Sequence, residues 1–108
     1  MRALLLLAAA GLLVAVRPAP QPSPPPGERL FTEKCGMCHR KGGMGTGLLS
    51  RRMDAKVAML ESRNDLTGDT IEAAIRTGIG NMPRISRAEV SDAQLRAISA
   101  YLTKRKPK

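Results

Sequence analysis

The fold is decided by the stretch Cys35-Gly36-Met37-Cys38-His39, which lies in the first half of a chain of 108 residues. Two cysteines separated by two residues and followed at once by histidine form the short pattern that ties a polypeptide covalently to a c-type haem. The two thiols add to the vinyl groups as thioethers, and His39 reaches the iron from one face. The stretch therefore predicts one haem c, attached through Cys35 and Cys38, with His39 as an axial ligand.

Two other interpretations of the same residues have less support. A structural zinc site needs four ligands, but His39 is the only histidine and the chain has no second pair of cysteines. A dithiol redox pair of the thioredoxin kind should lie within a βαβ pattern, which the sequence lacks. Haem attachment is therefore the favoured interpretation.

The N-terminal part predicts export. A charged start, Met1-Arg2, precedes an apolar run over 3–16, as in an export signal, and this run is shorter than the ~20 residues that cross a bilayer. We expect residues 1–17 to be a signal peptide or an uncleaved anchor, and the protein to be periplasmic. Residues 18–26 hold six of the eight prolines and predict an extended linker. Residues 27–108 then form one domain.

This domain has little material for a core. The whole chain contains one Phe, one Tyr and no Trp. Domains of about 80 residues usually need a staple such as a metal, disulfides or a prosthetic group, because apolar burial barely exceeds the loss of chain entropy. A covalently held haem would supply the missing apolar mass.

The periodicity predicts an all-α domain with three to four helices. A first helix over 28–34 runs into the cysteine pair, and a second over 68–77 is capped by Thr67. A third opens with a capping box at 91–94 and continues to about residue 104. A weaker helix is predicted over 55–61, and no stretch alternates as a strand does.

With these features in place, the chain resembles the small bacterial c-type cytochromes of the monohaem, Met/His-ligated type over residues 27–104. The resemblance rests on Gly27, Phe31 and Cys35 at four-residue spacing, on Cys38-His39, on Asn81-Met82-Pro83, and on Ile98 and Tyr101-Leu102. It implies a small cytochrome c fold in which the first and last helices cross, Gly27 permits their close approach and Phe31 meets Tyr101. It also implies that Met82 is the second axial ligand of the iron.

A further resemblance concerns the electron donor. The stretches 63–67, 75–78 and 82–83 are similar to those of cytochrome subunits that serve periplasmic dehydrogenases dependent on flavin or quinone. This resemblance implies a redox-protein partner, a dehydrogenase as donor or an oxidase as acceptor.

The second axial ligand must come from six methionines. Met82 lies in a loop 43 residues after His39, where Gly78, which also ends the second helix, and Gly80 can shape the backbone. Met1 lies in the export segment, Met37 lies between the cysteines, and Met44 is too close to His39 in the sequence. Met53 and Met59 lie near or on the weaker helix. Of these, Met53 and Met59 stay open as alternatives, because methionines often simply fill cores. A thioether ligand favours ferrous iron and raises the reduction potential.

Two features of some relatives are absent. Mitochondrial-type members use a Gly-Pro carbonyl to orient the ligating histidine, and the nearest equivalent here is Gly47-Leu48. The Trp that holds a haem propionate in other members is also missing. Arg51, Arg52 and Arg63 are the candidate substitutes, with an ordinary solvated surface charge as the alternative for each.

The expected function is electron transfer rather than catalysis, because two axial ligands leave no place on the iron for substrate. From residue 18 onward basic residues outnumber acidic ones by seven, which favours an acidic redox partner. Four cations flank the two ligand regions, namely Arg40, Lys41, Arg84 and Arg87. Nucleic acid is not an expected partner, since the chain is exported and nearly without aromatics. The N-terminal segment offers a possible membrane tether.

Two alternative functions differ in the support that the sequence gives them. A haem peroxidase or sensor would need a distal acid or base such as a second histidine, which the chain does not have. A permanent cytochrome subunit of a flavin- or quinone-dependent dehydrogenase fits the sequence as well as a diffusing carrier does.

Overall fold

The computed structural model describes Gly11, residues 15–20 and residues 26–104. The predicted export segment at 1–17 and the linker at 18–26 fall largely outside these residues. Of the two segments, residues 15–20 are exposed and form neither helix nor strand. None of the helices in the described part of the chain has the length and apolarity that crossing a bilayer requires.

The described part of the domain contains five α-helices and two short 3-10 helices. The α-helices are α1 (Pro26–Lys34), α2 (Gly36–His39), α3 (Met44–Leu49), α4 (Gly68–Thr77) and α5 (Asp92–Lys104), and the 3-10 helices are Ala55–Val57 and Leu60–Ser62. The described residues contain no strand, and the nearest approach to one is an isolated bridge between Ile79 and Met82. The all-α prediction is confirmed.

The ends of the two longest helices are fixed as the sequence predicts. The Thr67 hydroxyl accepts a hydrogen bond from the Thr70 backbone N–H at 3.2 Å, and the Thr70 hydroxyl accepts one from the Thr67 N–H at 3.0 Å. At α5, Ser91 and Gln94 exchange the same pair of bonds at 3.2 and 3.0 Å. These reciprocal contacts satisfy N–H groups that would otherwise have no partner in the first turn.

The core lies where α1 and α4 pack against α5. Its buried members are Phe31, Leu66, Ile71, Ile75, Val90, Leu95, Ile98 and Leu102. Phe31 is 0 % exposed, and its ring centroid lies 5.9 Å from that of Tyr101. At position 27, a Cβ would lie 2.8 Å from the Cβ of Tyr101 and would overlap the Ala97 carbonyl oxygen. Glycine at this position therefore permits the contact between α1 and α5, and the expected meeting of Phe31 with Tyr101 is confirmed.

The predicted helix over 55–61 is wrong. The chain forms two separate 3-10 turns there, and Met59 between them is extended, with φ −75° and ψ 130°. Ala58, which is 0 % exposed, is turned into the interior at this break. Tertiary burial of one small side chain thus overrides a weak helical tendency.

Candidate functional site

The Cys-x-x-Cys-His segment continues directly from α1. The Cys35 N–H donates to the Phe31 carbonyl at 2.8 Å, and the His39 N–H donates to the Cys35 carbonyl at 3.0 Å. A change of direction at Cys35 separates α1 from the single turn of α2. The two cysteines and His39 are therefore presented on one short helical turn whose position is set by α1.

The His39 ring is held against the segment that follows it. A Cβ at Gly45 would lie 3.2 Å from Cε1 and 3.3 Å from Nδ1 of His39, so α3 packs directly on the imidazole. Nδ1 is buried and has no hydrogen-bond partner among the described residues. Burial lowers the pKa of His39, which favours the neutral form that ligates metals.

The segment Gly47-Leu48, the nearest equivalent of the Gly-Pro of some relatives, makes no hydrogen bond to His39 Nδ1 among the described residues. The Gly47 carbonyl accepts a bond from the Ser50 hydroxyl at 2.8 Å. Gly45 rather than Gly47 lies next to the ring, and the carbonyl that orients His39 stays a prediction.

The two cysteines are free thiols in a half-buried setting. Burial, with a smaller contribution from Cys38, raises the pKa of the Cys35 thiol to about 11. A thiol held in its protonated form is a poor redox nucleophile and a poor thiolate ligand. This environment disfavours the dithiol and zinc interpretations, because both need a thiolate.

Met82 lies at the end of a tight turn in the loop between α4 and α5. The Ile79 and Met82 backbones bond to each other in both directions, at 2.8 and 3.2 Å. The turn starts at Gly78, whose φ of +78° favours glycine and whose Cβ would lie 2.7 Å from the Met82 carbonyl oxygen. Met82 is half-buried and packs against the core cluster.

The loop is fastened to α4 just beyond Met82. The Ile85 N–H donates to the Ile75 carbonyl at 2.8 Å, and the Ile85 carbonyl accepts a bond from Nη1 of Arg76 at 3.2 Å. Nη2 of Arg76 reaches the Asp92 carboxylate at 2.8 Å. One arginine thus links the end of α4, the Met82 loop and the start of α5.

Cys35 and Met82 each border the buried core cluster. Both pack against the same buried cluster, although 47 positions separate them in the sequence. Three large apolar side chains next to the two ligand regions are exposed: Met37 at 89 %, Met44 at 67 % and Ile79 at 62 %.

The residues present therefore fit a covalently attached haem. The fit rests on the two half-buried thiols, on the neutral and enclosed His39, and on the sulfur of Met82 at the same core.

Several of the predicted surface cations are engaged with carboxylates. Arg40 lies 3.3 Å from Glu61, and Arg87 lies 3.1 Å from Asp92. Arg63 makes two hydrogen bonds to Asp65, at 2.8 and 2.6 Å, and the bond to Asp65 raises the pKa of the guanidinium.

Because some of these cations are paired with carboxylates and others are not, they differ as candidates for holding a propionate and for attracting an acidic partner. Arg63 is a poorer candidate for binding a propionate than Arg51 or Arg52, which are exposed. Lys41 and Arg84 are likewise exposed, and Arg84 makes no hydrogen bond or ion pair to any residue that the structure describes.

Three residues of this site escaped sequence reasoning, namely Gly45, Arg76 and Asp92. Arg76 and Asp92 are 16 positions apart, and no local spacing predicts such a pair. Gly45 carries a weak signal, because the run over 42–47 contains four glycines close to His39.

Comparison with known proteins agrees with this geometry. A family model described as cytochrome C oxidase, cbb3-type, subunit III matches residues 22–102, which is most of the chain. No curated protein and no solved structure gave a significant match. The matched span includes the attachment segment, the core helices and the Met82 loop. The chain thus belongs to the cbb3-type subunit III family and is a small c-type cytochrome that works in haem-based electron transfer.

Proposed function

We propose that this protein is a periplasmic carrier of single electrons, with one haem c bound through Cys35 and Cys38 and ligated by His39 and Met82. The observation that carries the proposal is the packing of Cys35 and Met82 against one core, although they belong to distant parts of the sequence. When bound, the haem supplies an iron that accepts one electron from a donor and passes it to an acceptor.

The residues of this chain set the conditions for that exchange. The pKa of His39 is lowered by burial, so its imidazole is available as a neutral ligand. The sulfur of Met82 would act as a soft ligand that stabilises the ferrous state and raises the reduction potential. With His39 and Met82 both holding the iron, no position would be left for a substrate, which supports a carrier over a peroxidase or a sensor.

The partner face follows from charge and apolarity together. Exposed Lys41 and Arg84 provide positive charge near the two ligand regions, while Met37, Met44 and Ile79 provide apolar area. Such a surface suits an acidic redox protein that is steered by charge and docks on apolar contacts. A dehydrogenase donor and an oxidase acceptor both satisfy this description.

A permanent subunit is the second candidate, supported by two observations. The family description names a subunit of an oxidase, and exposed apolar side chains lie beside the ligand regions. In this alternative the chain is the cytochrome subunit of a larger oxidoreductase. The sequence favours a flavin- or quinone-dependent dehydrogenase as that oxidoreductase.

The N-terminal segment at 1–17 would tether the carrier to the membrane if it is retained after export.

Optical spectra of the full chain, matured with haem and recorded oxidised and reduced, test the proposal. Met/His ligation predicts a long-wavelength sulfur-to-iron band in the ferric protein and a low-spin spectrum in both states. The Met82→Leu variant should lose the band, whereas Met59→Leu and Met53→Leu should keep it. A band that survives Met82→Leu and disappears with Met59→Leu would move the ligand to Met59 and overturn the assignment of Met82.

A further inference from the structure

One half-buried arginine fastens the Met82 loop. Arg76 is in the last turn of α4, and its side chain is only 13 % exposed. Its two terminal nitrogens serve different parts of the chain, one bonding the Ile85 carbonyl at 3.2 Å and the other the Asp92 carboxylate at 2.8 Å. Ile85 is three residues beyond Met82, so this contact acts on the loop from its C-terminal end.

The loop is restrained at both ends by α4. At its start, the Gly78 N–H bonds the Ala74 carbonyl at 2.9 Å. At its end, the Ile85 N–H donates to the Ile75 carbonyl, and the Ile85 carbonyl accepts a hydrogen bond from Arg76. Between these points the turn that carries Met82 is held by its own backbone bonds, so the bonds to Ile85 decide whether the turn stays near the core.

Arg76 also keeps an unfavourable feature. Its Nε is buried with no hydrogen-bond partner among the described residues. A buried N–H without a partner carries a desolvation cost, so an apolar residue at this position would avoid a penalty that arginine incurs. This cost is consistent with a role for Arg76 in function as well as in stability.

We propose that Arg76 is a positioning residue for Met82, holding the loop closed through Ile85 and Asp92 so that the thioether stays at the iron. This inference rests on the proposed function, because it takes Met82 as the ligand. Loss of Arg76 removes the side-chain partner of the Ile85 carbonyl and one of the two arginines on Asp92. The bond between Ile85 and Ile75 remains, so the loop should loosen without unfolding the domain.

The matched control is Arg87. It is also an arginine bound to Asp92, at 3.1 Å to both carboxylate oxygens, but it makes no contact with the Ile85 carbonyl. Arg87→Ala therefore removes one positive charge and one ion pair with Asp92, as Arg76→Ala does. It leaves the hydrogen bond between Arg76 and the Ile85 carbonyl in place. Arg76→Ala and Arg87→Ala each remove one of the two arginines bound to Asp92, but only Arg76→Ala also removes the contact with Ile85.

The experiment measures how fast imidazole enters the sixth position of the ferric holoprotein, a rate limited by release of the methionine sulfur. Arg76→Ala should raise this rate about tenfold, the effect expected from losing one charge-assisted hydrogen bond. Arg87→Ala should stay within about twofold of the wild type, since its weaker, more exposed ion pair contributes little. Arg76→Lys should show an imidazole rate between those of the wild type and Arg76→Ala. A lysine ammonium can bond one of the two partners, but it lacks the planar fork that lets arginine hold both at once.

Thermal melts supply a readout that a merely structural role would not change. In Arg76→Ala the sulfur-to-iron band should disappear well below the temperature at which the helices melt, whereas in the wild type the two transitions should lie closer together. Equal imidazole rates in Arg76→Ala and Arg87→Ala would overturn the inference, as would band and helix transitions that shift by the same amount. If Arg76→Ala does not fold, Arg76→Lys carries the comparison with Arg87→Ala.

Failure of the proposed function is separable from failure of this inference. If Met82→Leu keeps the sulfur-to-iron band, Met82 is not the ligand and the proposed function fails first. If Met82→Leu loses the band while Arg76→Ala behaves as Arg87→Ala does, only the positioning role is wrong.

Discussion

The two ligand regions of this cytochrome are held in place by different kinds of contact. On the side of His39, the first proposed ligand, the restraints are local, because backbone bonds within 35–43 fix His39 relative to Cys35 and Cys38. On the Met82 side they are distant, since the loop depends on bonds to α4 and on Arg76, which also spans to α5. Local restraints survive partial opening of a domain, whereas distant ones are lost with it. We therefore expect the Met82 side to be the more easily released of the two.

Removal of both thiols should have the largest effect. In Cys35→Ala/Cys38→Ala the thioether bonds cannot form, so extraction with acidified acetone should leave a colourless chain, whereas the wild type should keep its pigment. The single variants are the controls, since each retains one thioether. Release of the pigment from the wild type would contradict covalent attachment.

Replacement of Met82 by alanine should change the Met82 side of the haem site and leave the attachment through the cysteines unchanged. The haem should stay attached, because the cysteines are unchanged, but the open sixth position should bind cyanide quickly in the ferric state and the reduction potential should fall. Cyanide binding and potentiometry measure the two effects. Met44→Ala, which removes an exposed methionine, is the control and should leave both unchanged. A wild-type potential in Met82→Ala would place the ligand elsewhere.

Two glycines offer a matched comparison between the sides. Gly27→Ala should lower the free energy of unfolding by about 2 kcal/mol or more, because its Cβ would overlap the Ala97 carbonyl where α1 meets α5. Gly80→Ala meets nothing within 4 Å and should cost about 1 kcal/mol, from its φ of +55° alone. Denaturant titration measures both values. A larger loss in Gly80→Ala would mean that the loop, not the helix contact, limits stability.

Charge on the Met82 side should influence the partner more than charge on α5. Arg84→Glu should lower the second-order rate of electron exchange with an acidic donor on the order of three- to tenfold at low salt. Arg96→Glu, an equal change in charge at an exposed position of α5, should have a smaller effect. Stopped-flow rates over a range of salt measure this difference, which screening should erase at high ionic strength. Rates indifferent to salt and to both substitutions would favour the permanent-subunit alternative.

The smallest effect concerns pH. Hydrogen bonds from Arg87 and then Arg76 lower the pKa of Asp92 below its usual range. The stability that this carboxylate contributes is therefore fully present above its unfolded pKa of about 3.9 and is lost as the pH falls through the lower folded pKa. Asp92→Asn should be slightly less stable than the wild type at pH 7, and the gap should narrow toward pH 3. A gap that is constant between these pH values would contradict this account.

Sequence alone predicted the parts of the fold whose determinants are close together. The caps at Thr67 and Ser91 were readable because each capping residue is three positions from its partner. The short helices α2 and α3 were missed, since four and six residues are too few for a helical period to register. The predicted helix over 55–61 failed because burial of Ala58 is decided by the rest of the fold.

The candidate site divides in the same way. Cys35, Cys38 and His39 are recognisable from five consecutive residues, whereas the assignment of Met82 needs a resemblance and stays a prediction. The link from Arg76 to Ile85 and Asp92 could not be predicted, because it depends on how α4 and α5 are placed relative to each other.

The contact between α1 and α5 also constrains the order of maturation. Phe31 and Tyr101 are 70 positions apart, so nearly the whole domain must be present before this contact closes. Closing so long a loop is entropically unfavourable and slow compared with forming the single turn that carries the cysteines. In the newly made chain the two thiols should therefore be accessible for some time before the last helix docks. That interval would give the proposed haem attachment its opportunity, and a chain that ended before α5 would leave Phe31 uncovered.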